Sequence, residues 1–181
     1  MVKKLIAGGC SFTLGNELSD DVNGKTPSKK SWASRIAENK SLEYHCTAFG
    51  GLGNPAIARR VFNAVANTKE TDGVVVMWSF LSRYDWAMPR HKALEDTRWT
   101  SISPWDTNMA ADERHQTMLG SEAQQEHWKR REDSMQETGV KPFAEALYKH
   151  GANQYHETYL SWKSIIWLQN ILEKKKIPFM F

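Results

Sequence analysis

The sequence predicts an α/β protein built on a parallel sheet, and three observations predict it. Strand–loop–helix units repeat three times within the first 80 residues. The run Gly73-Val74-Val75-Val76-Met77-Trp78 is apolar throughout, as a central parallel strand covered on both faces requires. A long amphipathic segment near 157–175 then leads into a last apolar run, Ile177-Pro178-Phe179-Met180-Phe181, which reads as a fourth strand. Crossovers between such strands are right-handed in nearly all sheets.

Each element has its own signal. Val2 to Ala7 is a short buried first strand, and the segment from there to about Lys30 is rich in Asn, Asp, Ser, Gly and Pro, as surface loops are. Ser31 is placed to cap a helix through about Asn39, with Trp32, Ile36 and Ala37 on one face. Leu42 to Thr47 alternates Leu42, Tyr44 and Cys46 against Glu43 and His45, the pattern of a strand. After the loop Phe49-Gly50-Gly51-Leu52-Gly53, Asn54 is expected to cap a helix opened by Pro55, whose missing N–H costs nothing there. Ile57, Val61, Phe62 and Val65 form the face that helix turns to the sheet.

Residues 80–151 break the pattern. Pro89, Pro104, Gly120, Gly139 and Pro142 punctuate short helical pieces, the clearest at Ser121 to Gln136, so this stretch reads as a helical insertion within a single domain spanning 1–181. In the helix after it, Tyr159, Trp162, Ile165, Ile166, Leu168, Ile171 and Leu172 make the apolar set. Trp32, Trp162 and Trp167 fall at helical spacing and read as core. Trp86, Trp99, Trp105 and Trp128 lie in the insertion, where they either close a small core or line a sugar or acyl site.

Composition narrows the function classes. The 181 residues suffice for one full core. The net charge of +3 is scattered, and the densest basic run, Lys174-Lys175-Lys176, sits where a helix C-terminus favours cations, so no nucleic-acid surface is expected. No apolar stretch approaches the roughly 20 residues of a membrane span, and no secretory leader opens the chain, which points to a cytoplasmic protein. Cys10 and Cys46 read as two thiols in that setting. No Cys/His cluster has metal-ligand spacing, and neither metal nor cofactor is expected.

The most specific stretch is Gly8-Gly9-Cys10-Ser11-Phe12-Thr13-Leu14-Gly15-Asn16, which sets Ser11 on a tight turn at the end of the first strand. Open α/β sheets build their sites at such strand ends. Ser11 is either a turn hydroxyl or a nucleophile with amide N–H groups beside it. The turn is neither the Gly-x-Ser-x-Gly elbow nor a phosphate loop, because Thr13 takes the last glycine position and no Gly-Lys-Ser/Thr follows.

This block resembles the first motif of the SGNH (GDSL-like) hydrolases, Gly-Asp-Ser-x-Thr/Ser, with Cys10 where the family has aspartate. The segment Gly51-Leu52-Gly53-Asn54-Pro55-Ala56-Ile57-Ala58-Arg59-Arg60 looks like the family's second block. The resemblance implies a three-layer α/β/α, flavodoxin-like fold and hydrolysis of an ester or acetyl group through an acyl-serine intermediate. It implies Ser11 as nucleophile, Gly51 as an oxyanion donor and Asn54 as a second polar contact, with small acyl esters or acetylated carbohydrates as substrates.

The chain departs from the pattern in two places. Where the family ends its third strand with Gly-x-Asn-Asp, this sequence has Met77-Trp78-Ser79-Phe80-Leu81-Ser82-Arg83-Tyr84, without the asparagine. This Trp-Ser-x-x-Ser-Arg pattern resembles a divergent branch of SGNH-like proteins found in phages and uncultured microbes. Ser79 or Ser82 is a candidate hydrogen-bond donor there, and Arg83 is either an anion contact or a surface residue. The family's Asp-x-x-His follows the last strand, whereas the one instance here, Asp112-Glu113-Arg114-His115, falls inside the insertion. His156 opens the long helix and reads as a cap-region residue. The expectation is therefore a domain lacking its C-terminal block, with an exposed sheet edge that invites a homodimer. The alternative reading is an inactive SGNH-like binding module that uses the aromatic insertion.

Overall fold

The computed structural model describes residues 3–21, 26–68, 71–88, 99–107, 129 and 132–181. In chain order its first half runs β1 (Lys4–Gly8), α1 (Ser11–Leu14), α2 (Trp32–Asn39), β2 (Glu43–Cys46), α3 (Asn54–Asn67) and β3 (Gly73–Val76). The second half runs β4 (Tyr84–Ala87), β5 (Trp99–Ile102), a 3-10 turn (Pro104–Asp106), α4 (Val140–Ala146) leading into a π turn (Leu147–Gly151), α5 (Gln154–Lys174) and β6 (Phe179–Met180).

The main sheet is parallel, in the order β2-β1-β3-β6. Alternation along β1 decides which helix lies on which face. Leu5 and Ala7 meet Ala33 and Ala37 of α2, with Val75 beside them. Ile6 points the other way, with Val74 and Val76, into a larger core built by Ile57, Val61 and Val65 of α3 and Leu168 and Leu172 of α5. Helices therefore cover both faces of an α/β sheet. Each fully buried aliphatic side chain contributes about 1.5–3 kcal/mol, so among the described clusters this one gains most from burial. Gly8 permits the close contact of α3: a Cβ there would stand 2.4 Å from the Val61 Cγ2.

Most of the expected elements form. Ser31 caps α2, accepting from the Ser34 N–H at 3.3 Å. The last strand pairs with β3 through Val74↔Phe179 and Val75↔Met180. Both cysteines are free thiols. Among the described residues no helix is long and apolar enough to cross a membrane.

Three expectations are corrected. Asn54 is not the cap of α3; Gly53 is, and Asn54 lies inside the first turn with its side chain turned to the core. The described part of 80–151 is not simply helical, because β4 and β5 form an antiparallel hairpin with Tyr84↔Ile102 and Trp86↔Thr100 opposed. Aromatic and β-branched residues favour a pleated surface, and that preference outweighs the helical reading suggested by the spacing of Pro and Gly. Trp162 and Trp167 are not core: they are 64% and 41% exposed, because α5 buries only the narrow line Ser161, Leu168 and Leu172. Tyr155, Tyr159, Trp162 and Ile166 lie on its exposed side. Of the helix expected at Ser121 to Gln136, residues 129 and 132–136 are described and helical; the rest, with Asp112 to His115 and Trp128, lies outside the described residues.

The hairpin has its own small core. Ile102 packs with Val140 and Ala144 of α4, and Trp86 stacks on Phe143 with ring centroids 4.5 Å apart. The Tyr148 hydroxyl sits between two carbonyl oxygens, 2.5 Å from Ser82 O and 3.0 Å from Ile102 O.

Candidate functional site

Beyond the carboxyl end of β1 the chain turns at Gly9 and enters α1 at Ser11, next to the point where the strand order reverses between β1 and β3. Gly9 has φ +155°, and a Cβ there would fall 2.0 Å from the Thr13 Oγ1, so only glycine lets α1 fold back this tightly. Cys10 caps the turn, its carbonyl accepting from the Thr13 and Leu14 N–H groups, both at 3.1 Å. Ser11 is half-buried, and its hydroxyl makes no hydrogen bond to a described residue.

The loop after β2 reaches back to this turn. The Phe49 N–H donates to Gly9 O at 3.3 Å, and Gly51 follows on the surface with φ +81°. Gly53 then passes close under Arg83, and its N–H donates to the Ser101 Oγ at 3.0 Å. Asn54 is fully buried and spends its whole carboxamide inside the protein. Its Oδ1 accepts from the Ser79 N–H at 2.6 Å; its Nδ2 donates to Ser79 O at 3.2 Å and to the Ser161 Oγ at 3.0 Å. One side chain thereby joins the start of α3, the segment after β3 and the long helix α5.

Arg83 completes the junction. Its Nη1 donates to Leu52 O at 3.2 Å and to the Ser79 Oγ at 2.7 Å, and its guanidinium carbon lies 4.9 Å from the Phe80 ring centroid. The sequence candidates Asn54, Ser79 and Arg83 are thus one connected group. The Phe49 N–H to Gly9 O bond links the loop that leads to this group with the turn that carries Ser11.

Beside the junction opens a cavity of about 650 Å³. The loop 49–52, Arg59 and Arg60 of α3, Arg83, Asp85 and Met88 on one arm of the hairpin, Trp99 to Ser101 and Ser103 on the other, and Trp105 and Asp106 of the 3-10 turn line it. Gly51 and Arg83 belong to this lining; Ser11, Asn54 and Ser79 do not. The wall is ordered by charge. Arg59 makes a two-pronged pair with Asp85, at 2.9 and 3.2 Å, while its guanidinium lies 4.5 Å over the Trp99 ring. Asp106 is held by the Ser103 N–H and hydroxyl at 2.8 and 2.9 Å.

No protein-family model matches this chain, and no curated protein does.

A cluster of titratable groups stands behind the hairpin. Tyr84 stacks on His156 at 6.2 Å between ring centroids, and its hydroxyl lies 3.4 Å from a Glu157 carboxylate oxygen. Burial, with the Glu157 charge adding to it, pushes the Tyr84 hydroxyl up to about 12. Burial also raises Tyr148, with the charges of Tyr84, Asp106 and Glu157 acting in the same direction. His156 is exposed and, among the described residues, donates no hydrogen bond to Ser11. Among the described residues no group of three or more His, Cys, Asp or Glu side chains is placed to hold a metal ion.

Sequence reasoning singled out Ser11, the glycine loop, Asn54, Ser79 and Arg83 as candidates, and gave no sign of the contacts made by Arg59, Asp85, Ser101 and Ser161. These act through partners 26 to 107 positions away. No local pattern pairs residues at such separations. Trp105 had a signal, as an aromatic in the insertion, and it stands at the cavity beside Trp99.

Proposed function

We propose that this protein is an SGNH-type serine hydrolase acting on an ester or acetyl group. The observation that carries the reading is the position of Ser11. It begins a helical turn directly after the central strand β1 of a parallel sheet, with a hydroxyl that makes no hydrogen bond to a described residue and the Gly51 loop held against the same turn through Phe49.

In this mechanism the Ser11 Oγ attacks the ester carbonyl carbon and gives its proton to a general base. The N–H groups of Ser11 and Gly51 donate to the oxygen that becomes negative, the type of contact worth about 2.7–4 kcal/mol per donor in acyl transfer. The alcohol leaves with a proton, and water then cleaves the acyl-serine. Asn54 is a positioning residue here, since both ends of its carboxamide are already bound. Ser79 and Arg83 hold the substrate's polar side. The described residues supply no histidine to Ser11; Asp112 and His115, the family-like pair, lie outside them.

The cavity favours a second reading, a binding module of the same scaffold. Its lining holds Arg83, Trp99 and Trp105 but not Ser11. Hydrolysis of p-nitrophenyl acetate and butyrate by the protein and by Ser11→Ala separates the two. Turnover that Ser11→Ala abolishes supports the hydrolase; turnover that survives it overturns Ser11 as the nucleophile; no turnover from folded protein leaves the binding module.

A further inference from the structure

We infer that the cavity between the Phe49–Leu52 loop, α3 and the β4–β5 hairpin binds an anionic sugar ring, its carboxylate or phosphate on Arg83 and its ring against the indoles of Trp99 and Trp105. The charges in the wall carry the first half. Arg59 is neutralised by Asp85 in a pair whose carboxylate side chain is only 6% exposed, Arg60 is turned to the Thr47 carbonyl at 2.7 Å, and Asp106 is engaged by Ser103. Arg83 is different. Its contacts are a carbonyl, a hydroxyl and a ring, all neutral, so among the described residues no carboxylate faces its charge. Only Nη1 is used; Nε and Nη2 have no acceptor among the described residues.

A half-buried guanidinium with unused donors on a cavity wall favours a bidentate oxyanion, because the fork of N–H groups matches carboxylate and phosphate geometry. Held at Leu52 O and the Ser79 Oγ, Arg83 loses little side-chain freedom when the anion arrives.

The second half rests on the rest of the lining. Trp105 is 57% exposed at the mouth, and Trp99 is held in place by Arg59 on one face. Indoles in a wall that also holds Ser101 and Ser103 suit a ring with one C–H face and a polar rim.

This is an inference about binding in a cavity whose lining does not include Ser11, and it stands apart from the hydrolase reading. The test is titration calorimetry on Ser11→Ala protein with glucuronate, glucose 6-phosphate and glucose, repeated with added Arg83→Gln or Trp105→Ala. The expected result is binding of one or both anions, no binding of glucose, and at least tenfold weaker binding in each double variant. The tighter anion identifies carboxylate or phosphate as the recognised group. Trp105 is largely exposed, so its variant stays interpretable should Arg83→Gln fail to fold. Binding of none of the three, equal binding of glucose, or unchanged affinity in Trp105→Ala overturns the inference. Anion binding by a protein that hydrolyses no ester overturns the hydrolase reading alone.

Discussion

Asn54 and Ser79 bind each other twice, through Ser79 N–H to Oδ1 at 2.6 Å and Nδ2 to Ser79 O at 3.2 Å. This side-chain mimic of a strand pair locks the segment after β3 to the first turn of α3. The loop carrying Gly51 and the residues Ser79 and Arg83 keep their mutual placement because of it.

Replacing Asn54 by Ala is accordingly costly. It leaves the Ser79 N–H and carbonyl and the Ser161 hydroxyl without their partner in a buried setting, and stability falls by about 2–4 kcal/mol. Urea unfolding should show a lower midpoint at unchanged slope. A midpoint within error of the parent would mean that water replaces the carboxamide.

Gly9→Ala separates turn geometry from side-chain chemistry. The new methyl meets the Thr13 Oγ1 in a backbone conformation alanine rarely adopts, and the expected loss is about 1–3 kcal/mol. Any Ser11-dependent esterase activity disappears with it, whereas Ser11→Ala leaves the melting temperature nearly unchanged. Parallel calorimetry of both variants checks the contrast.

The Arg59–Asp85 pair ties the hairpin to α3, and its carboxylate is almost wholly buried. Asp85→Asn strips the countercharge from a guanidinium that is itself mostly covered, for about 1–3 kcal/mol. The double variant Arg59→Met with Asp85→Leu recovers part of that loss, because neither charge is then buried alone. Thermal unfolding of the three proteins gives the coupling directly; equal losses in the single and double variants would remove the pair from the account.

Alkaline pH weakens the fold in a defined window. The folded-state pKa of Tyr84 is raised to about 12, above the roughly 10 of an unfolded tyrosine, and Tyr148 and Tyr44 are raised as well, mainly by burial. A raised pKa means that the folded state holds its proton longer. The stabilising contribution is complete below pH 10 and is lost as pH climbs toward 12. Melting temperatures measured from pH 8 to 12 should fall most steeply in the upper half of that range, and Tyr84→Phe should flatten the fall. Phenolate absorbance should appear late for these residues.

The larger part of the sheet was legible along the chain. Gly73 to Val76 is buried on both faces, Ser31 caps its helix, and the terminal run pairs with β3. These depend on neighbours within a few residues, so periodicity and capping chemistry report them. The hairpin did not show itself, because β4 and β5 are separated by a long connection and are defined by each other across it. The face of α5 was misread for a related reason. Its apolar residues surround much of the helix, and only contact with α3 selects Leu168 and Leu172 for burial while Trp162 remains in solvent.

The candidate site divides along the same line. By itself the sequence determined that a serine follows the first strand on a glycine turn, that a glycine loop follows the second, and that Asn54, Ser79 and Arg83 stand at helix or strand ends. Only the tertiary structure decided that Asn54 is a buried clamp, that Arg59 is neutralised by Asp85, and that Arg83 faces a cavity with Trp99 and Trp105 while Ser11 does not. Backbone turns are local and are encoded within a few residues. The fate of a charge or a carboxamide depends on which distant groups the sheet and hairpin bring within 3 Å of it.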